Sequence, residues 1–156
     1  MAIGLHGRLA SNSLRKDLLS TNMKNTYSGS CHCGAVRFEA DIDLTESTFK
    51  CNCSSCTKSR NWLAVVKPDA FRLIAGESSL SDYQYGKKTA HHLFCKHCGV
   101  SSFEWGDDQN LGGKFYAVKV ACLDNATAAE LINAPVTYVD GRHDNYKVAP
   151  AEVRHL

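Results

Sequence analysis

The sequence predicts a mainly β domain of short antiparallel strands with one or two short helices, stapled by bound metal. Three observations carry this. Short runs rich in Val, Phe, Tyr and Thr recur along the chain, separated by Gly, Pro, Asn and Asp. Only one stretch has clear helical composition. Seven of the eight cysteines fall in three tight clusters, Cys31-His32-Cys33, Cys51-Asn52-Cys53-Ser54-Ser55-Cys56 and Cys95-Lys96-His97-Cys98.

Residues 1–22 read as a mobile N-terminal extension. They are rich in Ser, Asn, Leu and Arg, with a weak helix over Asn12–Leu19 and an alternative start at Met23. A single zinc-binding domain is expected over residues 23–156. Gly29–Gly34 reads as a metal-binding turn, its glycines permitting the close backbone approach that two thiolates on one ion require. Ala35–Asp41 alternates apolar and charged residues, as a half-buried strand does. Ser47–Lys50 is a short strand into the cysteine triplet, which lies on a loop with a helical turn capped by Ser54 or Ser55.

Trp62–Val66 and Phe71–Ala75 are strands, stopped by Pro68-Asp69 and Gly76. Asp82–Tyr85 and Thr89–Phe94 form a hairpin about Gly86-Lys87-Lys88 that delivers Cys95 and Cys98. Val100–Trp105 returns as a strand, Gly106–Asn110 is a loop, and Phe115–Ala121 is strongly β-prone. Asp124 or Thr127 caps a helix running to Ala134 and ended by Pro135. Val136–Val139 is the last strand, Asp140–Arg142 a turn, and 143–156 irregular.

With 156 residues the chain suits one domain with a real core. Its 44% apolar and 22% charged residues are ordinary for a soluble protein. From the formal charge of +2, seven thiolate charges subtracted and two divalent ions added leave −1, which gives no electrostatic case for a nucleic-acid partner. The first residues show no apolar signal segment, and no run reaches the roughly 18 apolar residues of a membrane span. The expected setting is a reducing cytoplasm, where clustered cysteines bind metal rather than form disulfides.

Seven ligands split into four and three. Cys31, Cys33, Cys95 and Cys98 would close one structural site, two clips about 60 residues apart fastening an early segment to a late hairpin. Cys51, Cys53 and Cys56 would hold a second zinc with its fourth position open, in an electron-rich setting suited to thiol chemistry. Three alternatives stay open for the triplet: a fourth protein ligand such as a histidine, a redox thiol cluster, or no metal. Cys122 reads as a buried core thiol. His32 and His97 read as exposed knuckle residues, and Trp62 and Trp105 as core. His91 and His92 fall on opposite strand faces, so at most one can point at a given site.

Gly-Ser-Cys-His-Cys-Gly-Ala-Val, Cys-Asn-Cys-Ser-Ser-Cys-Thr-Lys and Phe-Cys-Lys-His-Cys-Gly, in that order, resemble the glutathione-dependent formaldehyde-activating enzyme family, which shares a domain with centromere protein V. The resemblance covers roughly Tyr27 to His143. It implies a beta-tent fold, a structural zinc on Cys31, Cys33, Cys95 and Cys98, and a catalytic zinc on Cys51, Cys53 and Cys56. It implies a carbon–sulfur lyase whose partners are glutathione, or another thiol, and an aldehyde such as formaldehyde, joined as S-(hydroxymethyl)glutathione. The residues identify no general acid or base. Lys58, Arg60 and Lys67 are near enough in sequence to be considered for glutathione carboxylates. The alternative is a non-catalytic zinc-stabilised protein-interaction module; an open triplet site favours the enzyme, a fourth protein ligand the module.

Overall fold

The computed structural model describes residues 24–46, 48–109 and 112–156. The expected N-terminal extension and its weak helix lie outside the described residues. The domain is mainly β. A three-stranded sheet has the order β1 (Asn25–Ser30), β2 (Arg37–Ile42), β5 (Phe71–Ala75). A seven-stranded sheet has the order β10 (Val136–Val139), β3 (Thr48–Cys51), β4 (Leu63–Val66), β9 (Gly113–Lys119), β8 (Phe103–Asp108), β7 (Ala90–Cys95), β6 (Leu80–Tyr83). Two short α-helices are described, α1 (Ser54–Ser59) and α2 (Ala128–Asn133). No helix of the described residues is long and apolar enough to cross a membrane.

The sheets meet through aromatic rings at alternate strand positions. Phe38 of β2 stacks on Phe71 of β5 with centroids 5.7 Å apart, and Phe71 lies 4.7 Å from Phe103 of β8 and 4.1 Å from Tyr116 of β9. Phe38, Val36, Val118 and Val120 are fully buried. Period-two patterning thus places one face of each sheet against the other, with rings filling the space between. Trp62 is half-buried against this core, and its indole N–H donates to Thr48 Oγ1 at 2.7 Å.

Several elements differ from the sequence reading. β1 was not anticipated: Asn25–Ser30 is polar, and it is a strand because β2 pairs with all six of its residues. Gly106–Asp108 belongs to β8 rather than to a loop, since Asp107 and Asp108 pair with Lys114 and Gly113 at the end of a hairpin. The pairing is not wholly antiparallel: β10 runs parallel to β3, with Val139 opposite Cys51. α2 starts at the expected Thr127, where a capping box joins Thr127 and Glu130. α1 is capped by Cys53, not by Ser54 or Ser55; the Cys53 sulfur accepts from the Cys56 N–H at 3.4 Å.

Phe38 tests this core. Phe38→Ala is expected to lower stability by about 3–5 kcal/mol, read as an earlier urea midpoint with an unchanged slope. A loss below about 1 kcal/mol would mean that the ring does not join the sheets.

Candidate metal centre

Cys31 and Cys33 lie in the turn between β1 and β2. Cys95 ends β7, and Cys98 lies in the turn toward β8. The two turns are built alike. Cys31 N–H donates to Val36 O at 3.0 Å, and Cys95 N–H to Val100 O at 2.9 Å. Gly34 and Gly99 follow with φ of +73° and +75°, a conformation that side chains rarely adopt. The four sulfur atoms all lie within 4.8 Å of one another. Cys31 Sγ is 3.6 Å from Cys33 Sγ, which is 3.7 Å from Cys95 Sγ. A tetrahedral ion with bonds of about 2.3 Å to sulfur has edges of about 3.8 Å, whereas a disulfide brings its sulfurs to about 2.05 Å. The spacing fits four thiolates around one ion, and all eight cysteines are free. The Val100 and Cys33 backbone N–H groups hold the Cys98 thiol down to about 6.

Cys51, Cys53 and Cys56 also lie within 4.8 Å of one another. Cys51 ends β3, Cys53 caps α1 and Cys56 follows one turn on. Backbone N–H groups point at two sulfurs, from Cys53 to Cys51 Sγ and from Cys56 to Cys53 Sγ, each at 3.4 Å. Asn61 Nδ2 donates to Cys56 Sγ at 3.4 Å. Such donors favour the thiolate form. Hydrogen bonds from Cys51 and then Cys56 pull the Cys53 thiol down, while those from Cys51 and then Cys53 push Cys56 up. Among the described residues, no histidine or carboxylate joins the three sulfurs. Both clusters could therefore hold a metal ion, one with four protein donors and one with three.

Cys51 and Cys56 are buried, and Cys53 is partly exposed. Tyr85 Oη lies 3.9 Å from Cys53 Sγ. The Tyr85 hydroxyl is raised by burial and then by the charge of Cys53, and Tyr146 is pushed up to about 12, chiefly by burial and next by Cys51. Beside α1 opens a cavity of about 470 Å³. Ser54, Ser55 and Lys58 line one side, Tyr83, Tyr85 and His92 another, and Asn61, Glu104 and Lys119 also contribute. Of the three cations considered from sequence, Lys58 lines this cavity. Arg60 donates to the His155 carbonyl, and Lys67 to the Gly112 carbonyl at 3.0 Å.

A buried polar group connects the cavity to the thiols. Glu104, 7% exposed, takes Lys119 Nζ at 3.3 Å and Asn61 Nδ2 at 3.5 Å on Oε1, and His92 Nδ1 at 2.5 Å on Oε2. Burial pushes the Glu104 carboxyl up, but the His92 hydrogen bond and the Lys119 charge outweigh it and hold it below the usual range. The sequence reading missed this group. Its signal is a lone Glu in Phe103-Glu104-Trp105 and a lone Lys in Ala117-Val118-Lys119-Val120, two opposite charges in neighbouring apolar strands.

Also missed were Asn52 and Gly141. Asn52 is 7% exposed; its Nδ2 donates to Asp140 Oδ1 at 2.7 Å, and its Oδ1 accepts from the Arg142 N–H at 2.9 Å. This pins the turn after β10 against the triplet, where a methyl group on Gly141 would overlap the Cys51 sulfur. His91 and His92 do face opposite ways: His91 stacks on Trp105 at 3.7 Å, whereas His92 reaches Glu104. Trp105, expected in the core, is instead a partly exposed platform under Lys114. His32 and His97 are exposed, and Cys122 is half-buried and joins neither cluster.

The family model described as glutathione-dependent formaldehyde-activating enzyme matches residues 26–138. The chain belongs to this family. A crystal structure of a Rhodobacter sphaeroides protein is similar, with a TM-score of 0.60 and 31% identity, covering 70% of this chain and 99% of that chain. The match to the formaldehyde-activating family spans β1 to β10 and includes both cysteine clusters.

Metal analysis separates the two clusters. One ion per cluster is expected in the parent. Cys53→Ser should lose one and stay folded. Cys95→Ser should lose the other together with the fold, because metal binding and folding are coupled. Gly141→Ala should weaken metal retention at the triplet by about tenfold or more. A parent that still holds a single ion after metal is re-added, with Cys53→Ser unchanged, would eliminate the three-thiol site.

Proposed function

We propose that the chain is a zinc-dependent carbon–sulfur lyase acting on a thiol adduct of an aldehyde, with S-(hydroxymethyl)glutathione as its type substrate. The observation that carries this reading is the three-thiol cluster. It has no fourth donor among the described histidines and carboxylates, and it stands beside a cavity of about 470 Å³ in a chain of the formaldehyde-activating family. In this reading Cys51, Cys53 and Cys56 hold the catalytic zinc, and Cys31, Cys33, Cys95 and Cys98 hold a structural one, in one domain over residues 23–156.

A zinc ion among three thiolates supplies a soft Lewis acid that favours the thiolate form of an incoming thiol. The protein does the rest. The Cys53 and Cys56 N–H groups and the Asn61 amide fix the sulfur lone pairs. Ser54, Ser55, Ser59 and Ser101 line the cavity with hydroxyls, and Lys58 adds an ammonium group at its edge. These suit the amides and carboxylates of a small peptide thiol such as glutathione. Tyr83 and Tyr85, stacked 5.8 Å apart, form one side of the cavity, and the Tyr85 hydroxyl reaches Cys53. Thiolate ligands also support a reducing compartment, the cytoplasm, as the place of action.

Exchange spectroscopy by NMR on mixtures of glutathione, formaldehyde and their adduct tests the reading. The metal-loaded protein should speed interconversion about tenfold or more, and Cys53→Ser should return it to the spontaneous rate. Equal rates with and without the parent protein would reject the lyase and leave a zinc-stabilised interaction module.

A further inference from the structure

We propose that His92 Nε2 takes the proton of the incoming thiol, with Glu104 as the residue that positions the ring. The proposal rests on the thiol–aldehyde reading above and supplies the acid–base group that reading lacks.

The tautomer follows from hydrogen-bond chemistry. Glu104 Oε2 is a carboxylate oxygen and accepts, so His92 Nδ1 carries the proton at the 2.5 Å contact. In the neutral form of the ring, Nε2 is then the nitrogen with a free lone pair. The ring lines the cavity, and among the described residues no hydrogen bond is made to Nε2. It stacks on Tyr85 with centroids 5.2 Å apart, and Tyr85 Oη is the polar atom 3.9 Å from Cys53 Sγ. Tyr85 therefore touches both the imidazole ring and the Cys53 sulfur.

Glu104 is held for this task from every side. Lys119 and Asn61 fill Oε1, and His92 fills Oε2. Asn61 uses one amide nitrogen for both Glu104 and Cys56, so the pair and the thiol cluster share a fixed spacing. A buried carboxylate behind an imidazole holds one tautomer and stabilises the imidazolium that forms on proton uptake.

The step balances. The thiol S–H bond breaks and its proton passes to Nε2. Sulfur attacks the aldehyde carbon, the S–C bond forms, and the C=O π pair moves to oxygen. That oxygen takes the proton back from Nε2, giving the hydroxymethyl thioether and a neutral imidazole. In the lyase direction the same proton moves are reversed.

The test uses the metal-loaded full chain and glutathione itself. Long-range ¹H–¹⁵N NMR, with His92→Gln to assign the signal, should show His92 with Nδ1–H and a bare Nε2, and Nε2 should gain a proton when glutathione is added. His92→Gln should lower the protein-dependent part of adduct exchange about tenfold or more while keeping its metal content and changing glutathione affinity less than about twofold. Glu104→Gln should shift the His92 tautomer mixture toward Nε2–H, a change that a merely structural residue would not produce. If Glu104→Gln fails to fold, the parent spectra and His92→Gln decide. A parent that does not speed exchange, but whose Nε2 gains a proton on thiol addition, rejects the lyase and supports the proton acceptor. An Nε2 unchanged by glutathione, or His92→Gln exchanging at the parent rate, overturns the proposal.

Discussion

Four sulfur atoms, two from the β1–β2 turn and two from the β7–β8 turn, have to meet within 4.8 Å. The first turn belongs to the three-stranded sheet and the second to the seven-stranded sheet. Their meeting therefore fixes how one sheet sits on the other. The aromatic rings of Phe38, Phe71, Phe103 and Tyr116 fill the space that this leaves. Closing a loop of 62 residues between Cys33 and Cys95 costs entropy in the unfolded chain. Apolar burial offsets part of that cost, and an ion held by the four thiols would offset more.

Where strands carry their own pattern, they were legible in the sequence. Phe71–Ala75 and Val136–Val139 match the structure to the residue. The grouping of thiols into four and three was legible too, because ligand spacing is a local property. What was not legible depended on partners. Asn25–Ser30 has no apolar alternation and is a strand only through β2. Gly106-Asp107-Asp108 has turn composition, yet β9 extends it. Nothing in the residues of β3 or β10 announces that they run parallel. The site divides the same way. Cys51, Cys53 and Cys56 could be read directly, whereas Asn61, Glu104, Lys119 and His92 become a group only when β7, β8 and β9 lie side by side.

The Glu104–Lys119 pair has a further meaning. Taking two charges out of water costs several kcal/mol per ion, and mutual attraction seldom repays more than this. A buried pair is thus poor material for a core built only for stability. Here it borders a cavity and touches, through one asparagine, a thiol of the three-cysteine cluster. Its placement is better explained by the need to fix polar atoms in a partly dry space than by any gain in fold stability.

Asn52 and Gly141 lie about 90 positions apart, yet they serve one purpose. Asn52 ties down the turn after β10, and Gly141 leaves room there for the Cys51 sulfur. Neither is a ligand, and neither has another evident task in the fold. A descendant of this chain that abandoned the three-thiol centre would release both positions to drift, while the four-thiol staple kept its own residues unchanged. The asparagine and glycine together therefore act as a historical record, legible in one-dimensional text, of whether selection still maintains that centre.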